Sequence, residues 1–450
     1  MNQLIFNLDF PENKEMVQTN PLSHDLAKSI KKPNRYQVEF KIGAIDDLIP
    51  YDHKARIVWD YVQQLDLSSF YNKIKLPAGI GGPRTTDPKI LLCIWLFALL
   101  EGNYSARFIA KLTKCHYAYI WICGGVSVNY HTLSDFRSKN SENLRLLFQE
   151  SIAILWTTGR FNPITGVAQD GTRVKASASN NSSRRGPRLQ LLLEEAEKYL
   201  KTLENEQKLN SNSSSFRQKA ANERAALERK STLEKAVQEL KDYKENRKAS
   251  GKKNNKNLTE KELNETRVSI TDPECRKMKM GQGGYRNAFN VQFAASIDKQ
   301  VIVGVSVVNT LDPGTVGSMI EQVEKTLSFI GCSMPLKWLA DSAYANKYDS
   351  EIVEKYFPNI TFYSPPTGNQ NCDALTVRKS DNTAMKNLRQ RMSTTEAQII
   401  YKDRMKTIEF ANAVTKNRGM GDILVRGIEK VTNMALLYAV CHNMMVFFRN

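Results

Sequence analysis

The hydrophobic pattern of this chain changes its period near residue 161, and this change limits the folds that the chain can adopt. Before the turn at residues 161–163, apolar residues recur at helical spacing, as in Ile57, Tyr61 and Leu65. After that turn, the pattern becomes that of buried strands, beginning with residues 164–176. The sequence therefore predicts a helical region followed by a region that contains a sheet.

Two of the buried-strand patterns lead to an aspartate. Residues 164–170 run to Asp170, after which the strand pattern continues to residue 176, and residues 336–341 close with Asp341. A third acid, Glu409, lies far along the chain on a helical pattern. Three carboxylates of this kind can hold two divalent cations, which activate a water or a DNA 3′-hydroxyl for phosphodiester displacement. The sequence therefore predicts a catalytic and metal-binding site formed by Asp170, Asp341 and Glu409, with two Mg²⁺ (or Mn²⁺) ions.

Most of the 47 Asp and Glu residues are expected to be solvated surface groups, so position has to distinguish the candidates. Asp170 and Asp341 follow buried strand patterns, and ligands of open α/β sheets bind at the carboxyl edge of the strands. Asp298 has a similar position, but Lys299 and Gln300 lead directly into another strand pattern at 301–308. Asp298 is therefore predicted to serve a hairpin turn.

Charge and composition indicate the partner and the compartment. The 450 residues carry a formal net charge of +17, which favours a polyanion such as double-stranded DNA, although any nonspecific basic protein shares this property. The N-terminus has no signal-peptide pattern, so a cytoplasmic protein is expected. The apolar stretches at 90–100 and 431–448 are expected to be buried helices, not membrane spans. Seven scattered cysteines without a CxxC pair are expected to be free thiols.

The chain divides into four predicted regions. Residues 1–44 form a polar, basic arm, 45–160 a helical domain, 161–186 together with 267–450 a catalytic domain, and 187–266 an inserted helical hairpin of coiled-coil-like pattern. The hairpin stripes are predicted at Leu189, Leu192, Ala196, Tyr199 and Leu203, and at Leu227, Leu233, Val237 and Leu240. A role in contacting DNA or a second protomer is left open for this arm.

The helical domain contains short helical patterns separated by Gly124-Gly125, an arrangement that resembles a helix-turn-helix. Its last helix is predicted to present His131, Arg137 and Lys139 to DNA. An ordinary helical bundle has similar turns and is the alternative interpretation.

The strand patterns of the catalytic domain have a recognisable order. Three antiparallel strands are followed by a helix, a strand, a helix and a strand, and this order resembles a ribonuclease H-like domain. The predicted fold class is therefore α/β (α+β), with a mixed sheet, an all-α N-terminal domain and an inserted helical hairpin.

Several blocks of the sequence resemble the DDE transposases of bacterial insertion sequences, in the branch with a helical N-terminal domain and a helical insertion after the first catalytic aspartate. These blocks are residues 48–53, 124–137, 169–176, 271–274, 285–292 and 340–344, and the resemblance extends from about residue 45 to the C-terminus.

The resemblance implies that Asp170, Asp341 and Glu409 are the catalytic acids, and that Tyr401, Arg404 and Lys416 contact DNA phosphates. One spacing departs from the family signature, because four residues separate Arg404 from Glu409 where three are usual. One helical residue corresponds to about 100°, so Arg404 and Tyr401 are expected to face differently from their counterparts in the family. Glu409 and Lys416 keep the usual spacing and are expected on one helix face, where pairing with each other is the alternative to a DNA contact.

The expected function is that of an insertion-sequence transposase, which cuts the ends of its element and joins the 3′-hydroxyl to target DNA. A homodimer on paired DNA ends is implied by the resemblance, and no membrane partner is expected. Two alternatives stay open: a metal-dependent DNA nuclease of the same fold, and a catalytically silent DNA-binding derivative.

Overall fold

The computed structural model describes residues 43–74, 85–209, 213–253, 258–368 and 373–449. The predicted N-terminal arm at 1–44 lies almost entirely outside the described residues. Ile45–Asn450 form one compact unit. The protein is a mixed α/β protein built around a six-stranded mixed sheet, which agrees with the predicted fold class at this level.

The region before residue 161 is helical, as its apolar spacing predicts. The helices are Lys54–Gln64, Ser68–Tyr71, Pro88–Leu100, Ala106–Cys115, Tyr117–Cys123, Tyr130–Ser138 and Ser141–Thr157. Asp87 caps Pro88–Leu100 by accepting a hydrogen bond from Lys89 N at 2.8 Å, which is the usual role of Asp before a first-turn proline. Gly124 and Gly125 both have positive φ and end Tyr117–Cys123 at the predicted break.

Strands follow the turn in the predicted order. The strands are β1 (Gly166–Lys175), β2 (Ser183–Arg184), β3 (Val268–Ser269), β4 (Arg276–Lys279), β5 (Tyr285–Ser296), β6 (Ile302–Val308), β7 (Lys337–Leu339) and β8 (Thr361–Tyr363). The main sheet has the order β4-β5-β1-β7-β8, with β6 also pairing with β5. β5 is antiparallel to β1 and β6, whereas β7 is parallel to both β1 and β8. The sequence did not predict β4 or the small β2–β3 pair.

Two helices of the sheet region lie between strands of the main sheet, and four follow its last strand. They are Val316–Phe329, Lys347–Tyr356, Thr383–Met392, Thr395–Arg404, Phe410–Thr415 and Ile428–Arg449. Ile428–Arg449 is long and apolar enough to span a membrane, yet 89% of its apolar window is buried inside the protein. Asn443 on this helix is fully buried and bonds both the N–H and the C=O of Ile302 on β6. The expectation of a buried helix is confirmed here and at Pro88–Leu100.

The core is continuous across the predicted domain boundary near residue 161. One cluster of buried apolar side chains includes Trp95 and Leu147 from the helical region, Phe293 and Trp338 from the sheet, and Leu437 from the C-terminal helix. The change of hydrophobic period therefore marks a change of secondary structure within a shared core. Six cysteines in the described part of the chain are free thiols, as expected, and Cys372 lies outside it.

The inserted segment forms two antiparallel helices, Gly186–Leu209 and Ser213–Lys253, followed by Glu260–Asn264. Its buried face agrees only in part with the predicted stripes. Leu189, Leu192 and Ala196 are buried, but the first stripe continues through Leu200, while Tyr199 is 52% exposed. Leu227 is likewise exposed, and Ala236 is buried between Leu233 and Leu240. Helical spacing alone does not distinguish these neighbouring positions, because residues at three and four apart both fit one stripe.

Candidate active site

The pairing of two parallel strands brings Asp170 and Asp341 close enough for their charges to interact. Ala168 on β1 is in register with Leu339 on β7, and each aspartate lies two residues further along its chain. Successive side chains along a strand alternate between the two faces of a sheet, so residues two apart point to the same face. Asp170 does not end its own strand, since β1 continues to Lys175 against β5. It lies next to the point where β7 ends.

Asp341 leaves β7 and begins a tight turn. Its carboxylate accepts a hydrogen bond from Ala343 N at 2.9 Å and so caps the 3₁₀ turn Ser342–Tyr344. Its carbonyl oxygen accepts a hydrogen bond from the Ser364 hydroxyl after β8. These two bonds fix the direction in which the chain leaves the sheet.

One helical segment supplies the other groups around Asp170. Arg404 lies 3.1 Å from Asp170 Oδ1 through one guanidinium nitrogen and 2.7 Å from Glu409 Oε1 through another. Asn412 donates its side-chain N–H to Asp170 Oδ2 at 2.9 Å. Arg404 is buried, whereas the Glu409 side chain is 46% exposed. The structure thus brings Asp170 and Asp341 together directly, and it joins Glu409 to them through Arg404.

A π-helical segment explains how Arg404 and Glu409 meet despite their unusual spacing. Residues Met405–Glu409 form a π turn between the α-helical segments Thr395–Arg404 and Phe410–Thr415. A π turn accommodates one residue more than an α turn, because its hydrogen bonds run from i to i+5. The extra residue is therefore absorbed locally, and Arg404 contacts Glu409 across the π turn. The chain then bends within Lys416–Met420, at Gly419, whose φ is 94°.

Asp312 is a fourth acid at this site, and the sequence did not single it out. Its Oδ1 accepts hydrogen bonds from Asn290 at 2.9 Å and from Gln292 at 2.8 Å. It lies in an Asp-Pro-Gly segment after β6, which reads as an ordinary turn. Gly171 makes room for it, because a Cβ at that position would lie 2.0 Å from Asp312 Oδ1. A glycine inside a strand pattern, directly after a candidate catalytic acid, was the available signal for such a close approach.

A buried network of polar side chains lies beneath the acids. The Gln292 side-chain oxygen accepts hydrogen bonds from Gln169 at 3.1 Å and from the Tyr344 hydroxyl at 2.5 Å. The Gln292 side-chain nitrogen donates to Asp312, and the Trp338 indole N–H donates to Gln169. Gln169 precedes Asp170, Gln292 bonds Asp312, and the backbone N–H of Tyr344 donates to the Asp341 carbonyl. The network therefore connects β1, β5, β7 and the turn after Asp341 at the level of the carboxylates.

The protonation of the acids reflects their crowding. Burial raises the pKa of the Asp170 carboxyl to about 6, with further raising by Asp341 and Asp312, while Arg404 opposes this shift. Burial also raises the pKa of Asp341, and Arg404 again opposes it. Burial would lower the pKa of Arg404, but the neighbouring acids raise it overall, so the guanidinium stays charged. Burial raises the pKa of Tyr344 well above its ordinary value, so its hydroxyl stays a neutral donor.

The other predicted DNA-contacting residues lie in different environments. Arg137 is buried, donates to the Tyr104 carbonyl at 3.1 Å and lies over the Trp95 ring. Its prediction as a DNA contact is therefore corrected, because its apolar helix face packs into the core. Lys139 is exposed and pairs with Asp135. Lys416 is exposed, and within the described part of the chain it has no ion pair with Glu409. Asp298 lies in the β5–β6 turn, as predicted. Its carboxylate accepts hydrogen bonds from the backbone N–H and the hydroxyl of Thr165.

The comparison with family models gives one match. Residues 367–448 match a family model described as a transposase DDE domain. This range contains Tyr401, Arg404, Glu409 and Lys416, whereas Asp170 and Asp341 precede it. No curated protein and no solved structure matches the chain. The match supports a DDE transposase.

Replacing Gln292 tests the buried network. Gln292→Leu leaves Gln169, the Tyr344 hydroxyl and Asp312 each without one hydrogen bond, at a cost of roughly 1–3 kcal/mol for each buried group that stays unpaired. We expect a clear loss in the free energy of unfolding, measured by urea denaturation. Gln398→Leu changes an exposed glutamine and serves as the control. Equal effects of the two substitutions would contradict the role given to the network.

The raised pKa of Asp170 predicts a pH dependence of stability. Between about pH 4 and pH 6 the folded protein retains a proton that the unfolded chain has lost, so the free energy of unfolding falls as the pH rises through this window. Asp170→Asn removes this titration. We expect the melting temperature of the variant, relative to the unchanged protein, to increase from pH 4 to pH 7 in the absence of divalent ions. A difference that does not vary with pH would rule out the raised pKa.

The π turn predicts that one deletion is tolerated. Met405 is exposed, and its deletion would place Arg404 and Glu409 four residues apart, which is the facing distance in an α-helix. We expect the melting temperature to change little. Deletion of Ala413, an exposed residue of the α segment Phe410–Thr415, turns the buried residues after it by about 100° and should lower the melting temperature strongly. A larger loss of melting temperature for the Met405 deletion than for the Ala413 deletion would contradict the role given to the π turn.

Proposed function

We propose that this protein is a DDE transposase of the bacterial insertion-sequence type, which cuts the ends of its element and joins the freed 3′-hydroxyl to target DNA. The order of the main strands supports a ribonuclease H-like catalytic domain: β6, β5 and β1 are antiparallel neighbours, and β7 and β8 continue the sheet parallel to β1. The family match over residues 367–448 supports the same class.

The observation that carries the proposal is the adjacency of Asp170 and Asp341, with Glu409 joined to them through Arg404. These acids come from two strands and one helix that are far apart in the sequence. They are partly buried, and burial raises the pKa of both aspartates. Perturbed carboxyl groups gathered in one place are typical of catalytic sites, because burying like charges together is costly without a functional return.

The donor groups suit a hard divalent cation. Among the described residues, no group of three or more His, Cys, Asp and Glu side chains is arranged to hold a metal ion. However, the Asn412 side-chain oxygen is buried beside Asp170 and has no hydrogen-bond partner in that part of the chain. Two carboxylates and an amide oxygen are ligands that Mg²⁺ accepts. Asp170, Asp341 and Asn412, with Glu409, would hold the proposed Mg²⁺ or Mn²⁺.

Bound divalent ions activate the attacking hydroxyl and stabilise the leaving oxygen in such a reaction. The protein's own residues hold the acids in place: Asn412 orients Asp170, and Ala343 N orients Asp341. Asp312 adds negative charge to the site. Arg404 balances the charge of Asp170 and Glu409. Its two terminal guanidinium nitrogens pair with Asp170 and Glu409. The phosphate contact that the resemblance implies would therefore require this side chain to leave these acids. Tyr401, Lys416 and Lys139 are retained as proposed DNA contacts.

The proposed partners follow from the activity and the charge. Double-stranded DNA, as element ends and as target, suits the net charge of +17. A homodimer on paired ends and a cytoplasmic, nucleoid-associated location are part of the proposal. A nuclease of the same fold is the second candidate, because hydrolysis requires the same acids.

Strand transfer separates these candidates. With pre-cleaved DNA ends taken from the sequence that flanks the gene, a transposase joins the 3′-hydroxyl to a target plasmid, whereas a pure nuclease gives no joined product. We expect Asp170→Asn and Asp341→Asn to lower joining by at least about a hundredfold, since each removes a carboxylate that would hold the divalent ion at the reacting phosphate. The control is Asp60→Asn, an exposed acid of helix Lys54–Gln64. Unchanged cleavage and joining in both variants would refute the proposed site.

A further inference from the structure

A groove of about 750 Å³ lies at the end of β1, and none of the site residues except Lys416 belongs to it. We call it the basic groove. It is lined by Arg173, Lys175, Met280, Gly281, Gln282, Gly283, Arg286, Lys416, Asn417, Gly421 and Asp422. Four of these side chains are cationic and one is acidic.

Three elements form the basic groove. Arg173 and Lys175 alternate with inward residues along the last part of β1, so both point to one face of the sheet. The backbone N–H of Lys175 donates to the Gly421 carbonyl at 3.0 Å, which fixes the end of β1 against the end of the Glu409 helical segment. The turn between β4 and β5 forms the opposite wall. A Cβ on Gly281 or Gly283 would meet no atom within 4 Å, so these glycines border open space.

The charges of the basic groove are only partly balanced by the protein. Lys175 pairs with Asp422 at 3.1 Å, and Arg173 lies 3.9 Å from Asp312. Arg286 and Lys416 are exposed, and neither has an ion pair within the described residues. Adjacent cations without acidic partners produce a positive potential that attracts an anionic ligand.

The basic groove leads to the acids. Arg173 lies three residues after Asp170 on β1 and approaches Asp312, whose charge acts on both Asp170 and Asp341. Lys416 lies one helical turn after Asn412, which bonds Asp170. A chain-like anion that fills the groove would therefore continue toward the carboxylates.

We infer that the basic groove binds the sugar-phosphate backbone of the duplex DNA that flanks the reacting phosphate, with Arg173, Lys175 and Arg286 as phosphate-binding residues. This inference rests on the proposed function. The lining contains no aromatic side chain and a single large apolar one, Met280, so it suits backbone contacts better than base stacking or an apolar peptide. The groove positions DNA and does not read its sequence.

Arg286→Ala is the most direct test, because this side chain is exposed and its loss leaves no buried group unpaired. Binding of the full-length chain to a fluorescent 30-base-pair duplex of arbitrary sequence is measured by anisotropy at several salt concentrations, with EDTA present. We expect the slope of log K against log salt to become less steep by about 0.9, which corresponds to about eightfold weaker binding at 0.1 M salt. Arg286→Lys should restore most of the affinity.

Lys355→Ala provides the matched control, because it removes one exposed positive charge outside the basic groove. If Arg286→Ala and Lys355→Ala weaken binding equally, only net charge matters and the inference is overturned. A larger loss for a single-stranded 30-mer than for the duplex would also overturn it, since the groove would then hold an unpaired strand.

The same assay separates failure of this inference from failure of the proposed function. If the unchanged protein binds the duplex and performs strand transfer, but Arg286→Ala behaves as Lys355→Ala does, the groove is not a DNA site and the transposase proposal stands. If the unchanged protein does not bind duplex DNA at all, both proposals fail.

Discussion

The hydrogen bonds of Gln292 are the interaction on which the geometry of the acids depends. This buried side chain bonds Gln169 on β1, Tyr344 in the turn that begins at Asp341, and Asp312 after β6. It therefore links the chain segments that carry the three aspartates. Buried amides need partners on both their oxygen and their nitrogen, so the network is satisfied only when these elements take one relative position. The apolar core drives the sheet to form, but apolar contacts tolerate small shifts. The polar network restricts these shifts next to the carboxylates.

A second constraint is the charge of the acids themselves. Asp170, Asp341 and Asp312 lie close enough for each of the other two to raise the pKa of Asp170, and burial adds to the cost. Arg404 supplies the balancing positive charge from within the fold. The protein therefore contains its own counter-ion at the position where the proposed reaction requires divalent cations. The proposed metals and Arg404 favour the same carboxylates, so binding of one is expected to weaken the contacts of the other.

The helical segment that carries Arg404 shows how a local irregularity maintains a site. A single added residue would rotate one part of an α-helix against the other by about 100°. The π turn at Met405–Glu409 takes up that residue, and the buried positions on both sides, Arg404 and Asn412, still face Asp170. The same segment then ends beside β1, where Lys416 borders the basic groove. This one helical run thus carries Arg404, Glu409 and Lys416, and it reaches from the acids to the basic groove.

The sequence alone determined the helical region before residue 161, the order of the five main strands after it, the buried C-terminal helix and the candidate acids Asp170 and Asp341, because hydrophobic period and strand ends are local properties. It did not reveal Asp312, the Gln292 network or the burial of Arg137. These depend on which residues from distant segments meet, and an Asp in a turn or an Arg on a helix looks the same in sequence whether exposed or buried. Tertiary structure also decided that Arg404 faces Glu409. Arg404 and Asn412 both contact Asp170 on β1, and the π turn between them takes up the extra residue.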